Sequence, residues 1–123
     1  MAYEMVADER YKLVKLLPHE LITKEEMWKA REDVGKMLKS LGYKRVLLDM
    51  GKYHMDMPVI DRYDCWTTLS KSFPLGTKIA MLTDSSHPEH ETHKFMETVL
   101  NNHSFQSKVF TDEKEALSWL CGK

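Results

Sequence analysis

Cysteine is scarce in this chain: Cys65 and Cys121 are the two it has, far apart and in no CxxC or Cys/His spacing. That excludes a disulfide framework and a zinc module, and the pair reads as reduced, partly buried thiols of a cytoplasmic protein. An excess of one charge is missing as well. Eighteen Lys and Arg stand against nineteen Asp and Glu, for a formal net charge of −1 with the signs interspersed. A nucleic-acid partner, which needs a one-signed basic footprint, is not expected. No apolar run approaches the roughly 20 residues of a membrane span. The opening MAYEMVADER lacks the basic flank and apolar core of a signal peptide. Linkers, low-complexity runs and internal repeats are absent too, so the 123 residues read as one domain.

What is present is ordinary for a soluble globular protein, with 42% hydrophobic and 30% charged residues. Nine methionines are the compositional oddity. They either fill irregular gaps in the core or line an adaptable apolar site. RYKLVKLL (10–17) alternates as a strand, PHE turns the chain, and LIT (21–23) pairs back as a short second strand. Thr23 and Glu26 form a capping box opening a helix that ends at Gly42, with Met27, Ala30, Val34, Met37, Leu38 and Leu41 as its buried stripe. KRVLLDM (44–50) is a buried strand and GKYHMDM a loop. Pro58 suits the first turn of a second helix, whose apolar face would be Val59, Ile60, Tyr63, Trp66, Leu69 and Phe73. KIAMLT (78–83) is a third long strand, followed by a helix to about Asn102, the strand QSKVF (106–110) and a final helix capped by Asp112 and Glu115. Strands alternating with helices imply an α/β domain: a mixed, mostly parallel sheet of about five strands, an N-terminal hairpin and four helices.

Four segments taken in order, LITKEEMWKAREDVGKMLKSLGYKRVLLDM, KYHMDMP, KIAMLTD and FQSKVFTDEKEALSWL, resemble the SpoIIAA-like proteins of the STAS-like fold, over Tyr11 to Leu120. The resemblance implies a non-enzymatic module with no cofactor. STAS domains act as regulatory partners in anti-sigma-factor antagonism and as tails of anion transporters. Their fold is similar to that of lipid-carrying CRAL-TRIO domains, which implies an apolar ligand or a membrane surface as a second role. One departure is plain. Where the STAS switch carries Asp-Ser-Ser-Gly at a helix start, this chain has Asp56-Met57-Pro58. A phosphate there would gain from the helix dipole, but no hydroxyl is present to carry it, so no phosphoserine switch is expected.

The loop after the second long strand gathers Tyr53, His54, Met55 and Met57, and the helix that follows adds Ile60, Tyr63 and Trp66. Ligands of open α/β sheets sit beyond the carboxyl ends of strands, so these residues are the candidate surface for an apolar ligand or a protein partner. A mobile second helix could lift to admit the ligand. The competing explanation is that the helix residues are simply core. A further alternative is a module that only forms a homodimer through this surface.

Two other patterns invite chemistry. Asp49 at a strand end, with Thr83, has the look of a phospho-acceptor and switch residue of a response-regulator receiver. The acidic pair and the lysine such a site needs are not in place. TDSSHPEHETHKF (83–95) carries His87, His90 and His93 at steps of three, and His90 with His93 could touch a metal at i, i+3, assisted by Glu89, Glu91 or Asp84. Ser86 and Glu89 read more simply as a capping box with Pro88 in the first turn. Ser85 and His87 are too close in sequence to form a triad.

Overall fold

A computed structural model of the chain describes residues 3–18, 22–51, 55–56, 59–83, 90–101 and 105–122. Their elements run β1 (Tyr3–Asp8), β2 (Leu13–Pro18), β3 (Ile22–Thr23), α1 (Lys24–Leu41), β4 (Arg45–Gly51), β5 (Met55–Asp56), α2 (Val59–Thr67), a 3-10 turn (Leu69–Lys71), β6 (Lys78–Thr83), α3 (His90–Asn101), β7 (Gln106–Phe110) and α4 (Glu113–Leu120). Five strands form one sheet in the order β1-β2-β4-β6-β7, and β3 pairs with β5 as a separate two-stranded ladder. β1 is antiparallel to β2, while β2, β4, β6 and β7 are parallel. The domain is therefore α/β with a mixed, mostly parallel five-strand sheet and four helices.

The opening hairpin differs from the one expected. Its partners are β1 and β2, joined by a turn in which the Asp8 carboxylate accepts from the Arg10 and Tyr11 amides at 2.9 and 3.2 Å. Lys12 completes the turn at φ 54°, a left-handed conformation found here without glycine. The short strand β3 does not pair back on β2. It pairs with β5, in register Ile22↔Met55 and Thr23↔Asp56.

The parallel strands lie side by side in chain order, so right-handed crossovers bring α1, α2 and α3 to the same face. Alternation along the strands then divides the core. Val14, Leu16, Val46, Leu48, Met50, Ile79 and Met81 face these three helices, meeting Met27, Ala30, Val34 and Leu38 of α1, Cys65 and Trp66 of α2, and Met96, Val99 and Leu100 of α3. Leu13, Leu47, Ala80 and Phe110 face the other way, onto Ala116 and Leu120 of α4. Met27, Met50, Met81 and Met96 are fully buried, so at least these four methionines fill the core. Burying a side chain of this kind stabilises by about 1.5–3 kcal/mol.

α1 begins and ends as its sequence dictates. Thr23 Oγ1 accepts from the Glu26 amide at 3.2 Å, and Glu26 Oε1 accepts from the Thr23 amide at 2.9 Å, closing the capping box. Gly42, at φ 70°, ends the helix in the left-handed conformation. α2 differs from expectation in its rotation. Ile60 and Tyr63 are 65% and 39% exposed, whereas Arg62, Cys65 and Trp66 are buried. The helix buries the 62/65/66 stripe, and its outer face carries the isoleucine and the tyrosine. On α1, Leu41 is likewise exposed.

Candidate functional site

The site begins at the carboxyl ends of β4 and β6. Between Asp49 and Gly51 the pairing of β4 with β6 shifts register, a bulge that breaks the regular ladder where the chain leaves the sheet. The segment then returns as β5, so the Met55 backbone is tied to Ile22 just before the N-cap of α1. Part of what reads as loop is therefore a strand that anchors the far end of the loop to the start of α1. Tyr53, His54 and Met57 lie outside the described residues, as does the side chain of Met55.

The helix residues separate into two groups. Ile60 and Tyr63 stand on the outer face of α2, and Trp66, 6% exposed, belongs to the main core. The structure does not bring these three side chains to one surface. Beneath Trp66 is a cavity of about 20 Å³ lined by Leu16, Val46, Leu48 and Ile79 from the sheet, Met27 and Arg31 from α1, and Trp66 and Phe73 from α2 and the segment after it. Seven of these eight residues are apolar. Room for one water is all the closed cavity offers.

Arg31 is the charged member of that lining, and it is 5% exposed. Its Nη1 donates to Cys65 O at 2.9 Å and to Thr68 Oγ1 at 2.8 Å. The guanidinium lies 4.0 Å from the centroid of the Trp28 ring. Thr68 in turn donates to Asp64 O at 2.7 Å. The last turn of α2 is thus tied off by α1: a cation meets one carbonyl of that turn and the hydroxyl just beyond it. Burial pushes the Cys65 thiol up to about 11, and the nearby Arg31 charge opposes that rise only in part. An inert, neutral thiol is what such surroundings produce.

Arg31 does not stand out on reading the sequence, although a signal is there. Met27, Ala30, Arg31, Val34 and Leu38 share one helical stripe, and a lone cation at such a position calls for a partner.

A larger cleft of about 410 Å³ lies at the opposite end of the sheet, around Lys12, Lys44, Arg45 and Lys78. Its two inner cations already serve the fold. Arg45 Nη1 donates to Tyr11 O, and Lys78 Nζ to Trp119 O at the end of α4, each at 2.8 Å. The cleft is basic because cations complement carbonyls and helix C-termini there.

The receiver pattern is divided by the sheet. Asp49 pairs in register with Leu82 and shares its face, so Thr83, the next residue, points to the other. His90 and His93 fall within α3, but their side chains lie outside the described residues, as do His87, Asp84 and the Ser86–Glu89 box. Among the described residues no group of three His, Cys, Asp or Glu could hold a metal ion, and no helix is long and apolar enough to cross a membrane. Comparison of the chain with protein-family models, with curated proteins and with solved structures finds no match in any of the three.

Proposed function

We propose that the chain is a SpoIIAA-like, STAS-fold module that does no chemistry and holds an apolar, lipid-like molecule beneath α2. The opening hairpin, the mostly parallel sheet and the four helices agree with that fold class. The observation that carries the ligand reading is the apolar cavity under Trp66 and Phe73, reached by displacing α2 and the segment after it. On this reading the ligand lies under the helix, between α2 and the sheet. A regulatory role then follows from whether α2 sits closed or lifted.

Ile60 and Tyr63 support a second reading. Large apolar side chains on the outer face of a short helix suit a protein partner, a second copy of this chain or a membrane surface.

A thermal-shift series from octanoate to tetradecanoate tests the first reading. Ligand at a hundred times its Kd stabilises by about 2.7 kcal/mol, roughly 10 °C for a domain of this size. No shift with any chain length, together with a dimer by light scattering, would transfer the function to the outer face of α2.

A further inference from the structure

Arg31 is a buried cation, and no carboxylate among the described residues pairs with it. Among the described residues its acceptors are neutral, Cys65 O and Thr68 Oγ1. No described residue accepts from its Nε, nor from the buried Nε1 of Trp28, the ring on which it stacks. Neutral acceptors offset the desolvation of a guanidinium only in part, and two orphaned donors on adjacent side chains call for an acceptor.

Both acceptors that Arg31 does have belong to the end of α2. Cys65 lies within the helix and Thr68 follows it directly. Arg31 therefore fastens the helix that closes the cavity, and it lines that cavity itself. The closed volume of about 20 Å³ admits no alkyl chain, so entry requires this segment to shift. A shift breaks both bonds from Nη1 and frees the guanidinium beside seven apolar side chains.

We infer that the ligand is a monocarboxylate amphiphile such as a fatty acid, and that Arg31 anchors its carboxylate while the chain occupies the cavity. The inference rests on the apolar-ligand reading above. The carboxylate replaces the two acceptors that α2 withdraws, and the free Nε–H of Arg31 and Nε1–H of Trp28 are further donors on the same side chains. A pair charged on both sides is stronger than the bonds from Arg31 to neutral acceptors that it displaces, so binding and opening are coupled. One guanidinium balances one negative charge, which matches a carboxylate better than a phosphate dianion.

Calorimetric titration with decanoate and with 1-decanol separates this inference from the reading beneath it. Wild type should bind decanoate about tenfold more tightly than decanol, the effect of one hydrogen-bonded charge pair. Arg31→Lys should keep part of that preference. Arg31→Met, which removes the cation and keeps the length, should lose it while still binding decanol. Equal binding of acid and alcohol by wild type overturns the anchor and leaves the apolar site standing. Binding of neither overturns both. Should Arg31→Met fail to fold, the wild-type comparison and Arg31→Lys still decide.

Discussion

Gly35 marks a close approach of α1 to the backbone of Ser72. A Cβ built there would stand 2.2 Å from Ser72 O and 2.9 Å from its carbonyl carbon. Backbone cannot swing aside as a side-chain tip does, so Gly35→Ala should destabilise by about 2–3 kcal/mol in urea unfolding. Gly42 offers the contrast. Space around it is open, but its φ of +70° penalises any side chain, and Gly42→Ala should cost about 1 kcal/mol. Cys65 sets an alkaline limit. Its thiol titrates at about 11 in the folded chain against an ordinary 9.0, so the native state holds a proton that the unfolded chain has already released. The stability this supplies is complete below pH 9 and is lost as pH rises toward about 11. Tyr3, raised to about 12 by burial and by its bond to the Asp33 carboxylate, extends the decline. Melting temperature should therefore fall above pH 9 in wild type and fall less in Cys65→Ala. At pH 8, a thiol reagent should label Cys121 readily and Cys65 only on unfolding.

The elements show where sequence pattern suffices and where it does not. α1 was legible from end to end, since Thr23, Glu26 and Gly42 are local signals that act within one turn. Thr23→Ala should cost about 1 kcal/mol, measured by urea unfolding. Glu26 contributes in its charged form: its carboxyl is held below the usual 4.5 by the Thr23 amide. Stability gained this way is present above that value and fades as pH falls through the lowered one.

α2 was misread in rotation, for a physical reason. Its buried stripe includes Arg62, and two overlapping stripes through Trp66 compete; the one without a charge looks apolar but faces outward. A 3-10 turn follows the helix, so Leu69 and Phe73 are not continuations of its face. Trp66→Ala should accordingly cost about 3–5 kcal/mol, whereas Tyr63→Ser should remain within about 0.5 kcal/mol. Chemical denaturation of the two variants distinguishes the faces. β1 escaped notice because an edge strand is stabilised by its neighbour. YEMVAD places Tyr3 and Met5 toward the core and Glu4 and Val6 outward, and Lys12 closes its hairpin with no glycine to announce the turn.

At the scale of the whole molecule, chain-order placement of the parallel strands makes the fold readable from the sequence. Each strand–helix unit adds beside the last, so element order already predicts a mostly parallel sheet, though not the order of its strands. The candidate site was less legible, because it depends on a side chain of α1 meeting carbonyl and hydroxyl groups 34 and 37 residues away. The edges of the sheet bear on assembly. At β7 the Val109 amide donates to Glu97 Oε2 at 2.7 Å, and the Ser107 amide and carbonyl are both bonded to the Asn101 side chain. An edge whose groups are already taken is a poor template for another strand. Pairing of two copies through β7 is therefore disfavoured. Glu97→Ala combined with Asn101→Ala should uncover the β7 edge and promote aggregation, read by light scattering. Ile60→Lys should leave the monomer stable and disperse a dimer held by α2.

The central claim is that a lipid-like molecule lies between α2 and the sheet, and methyl-resolved NMR with bound decanoate tests it most directly. The account predicts intermolecular Overhauser contacts from the alkyl chain to the methyls of Met27, Val46, Leu48 and Ile79, with none to Leu117 or Leu120 of α4 on the other side of the sheet. Contacts confined to Ile60 on the outer face of α2, or no contacts at all, would contradict it.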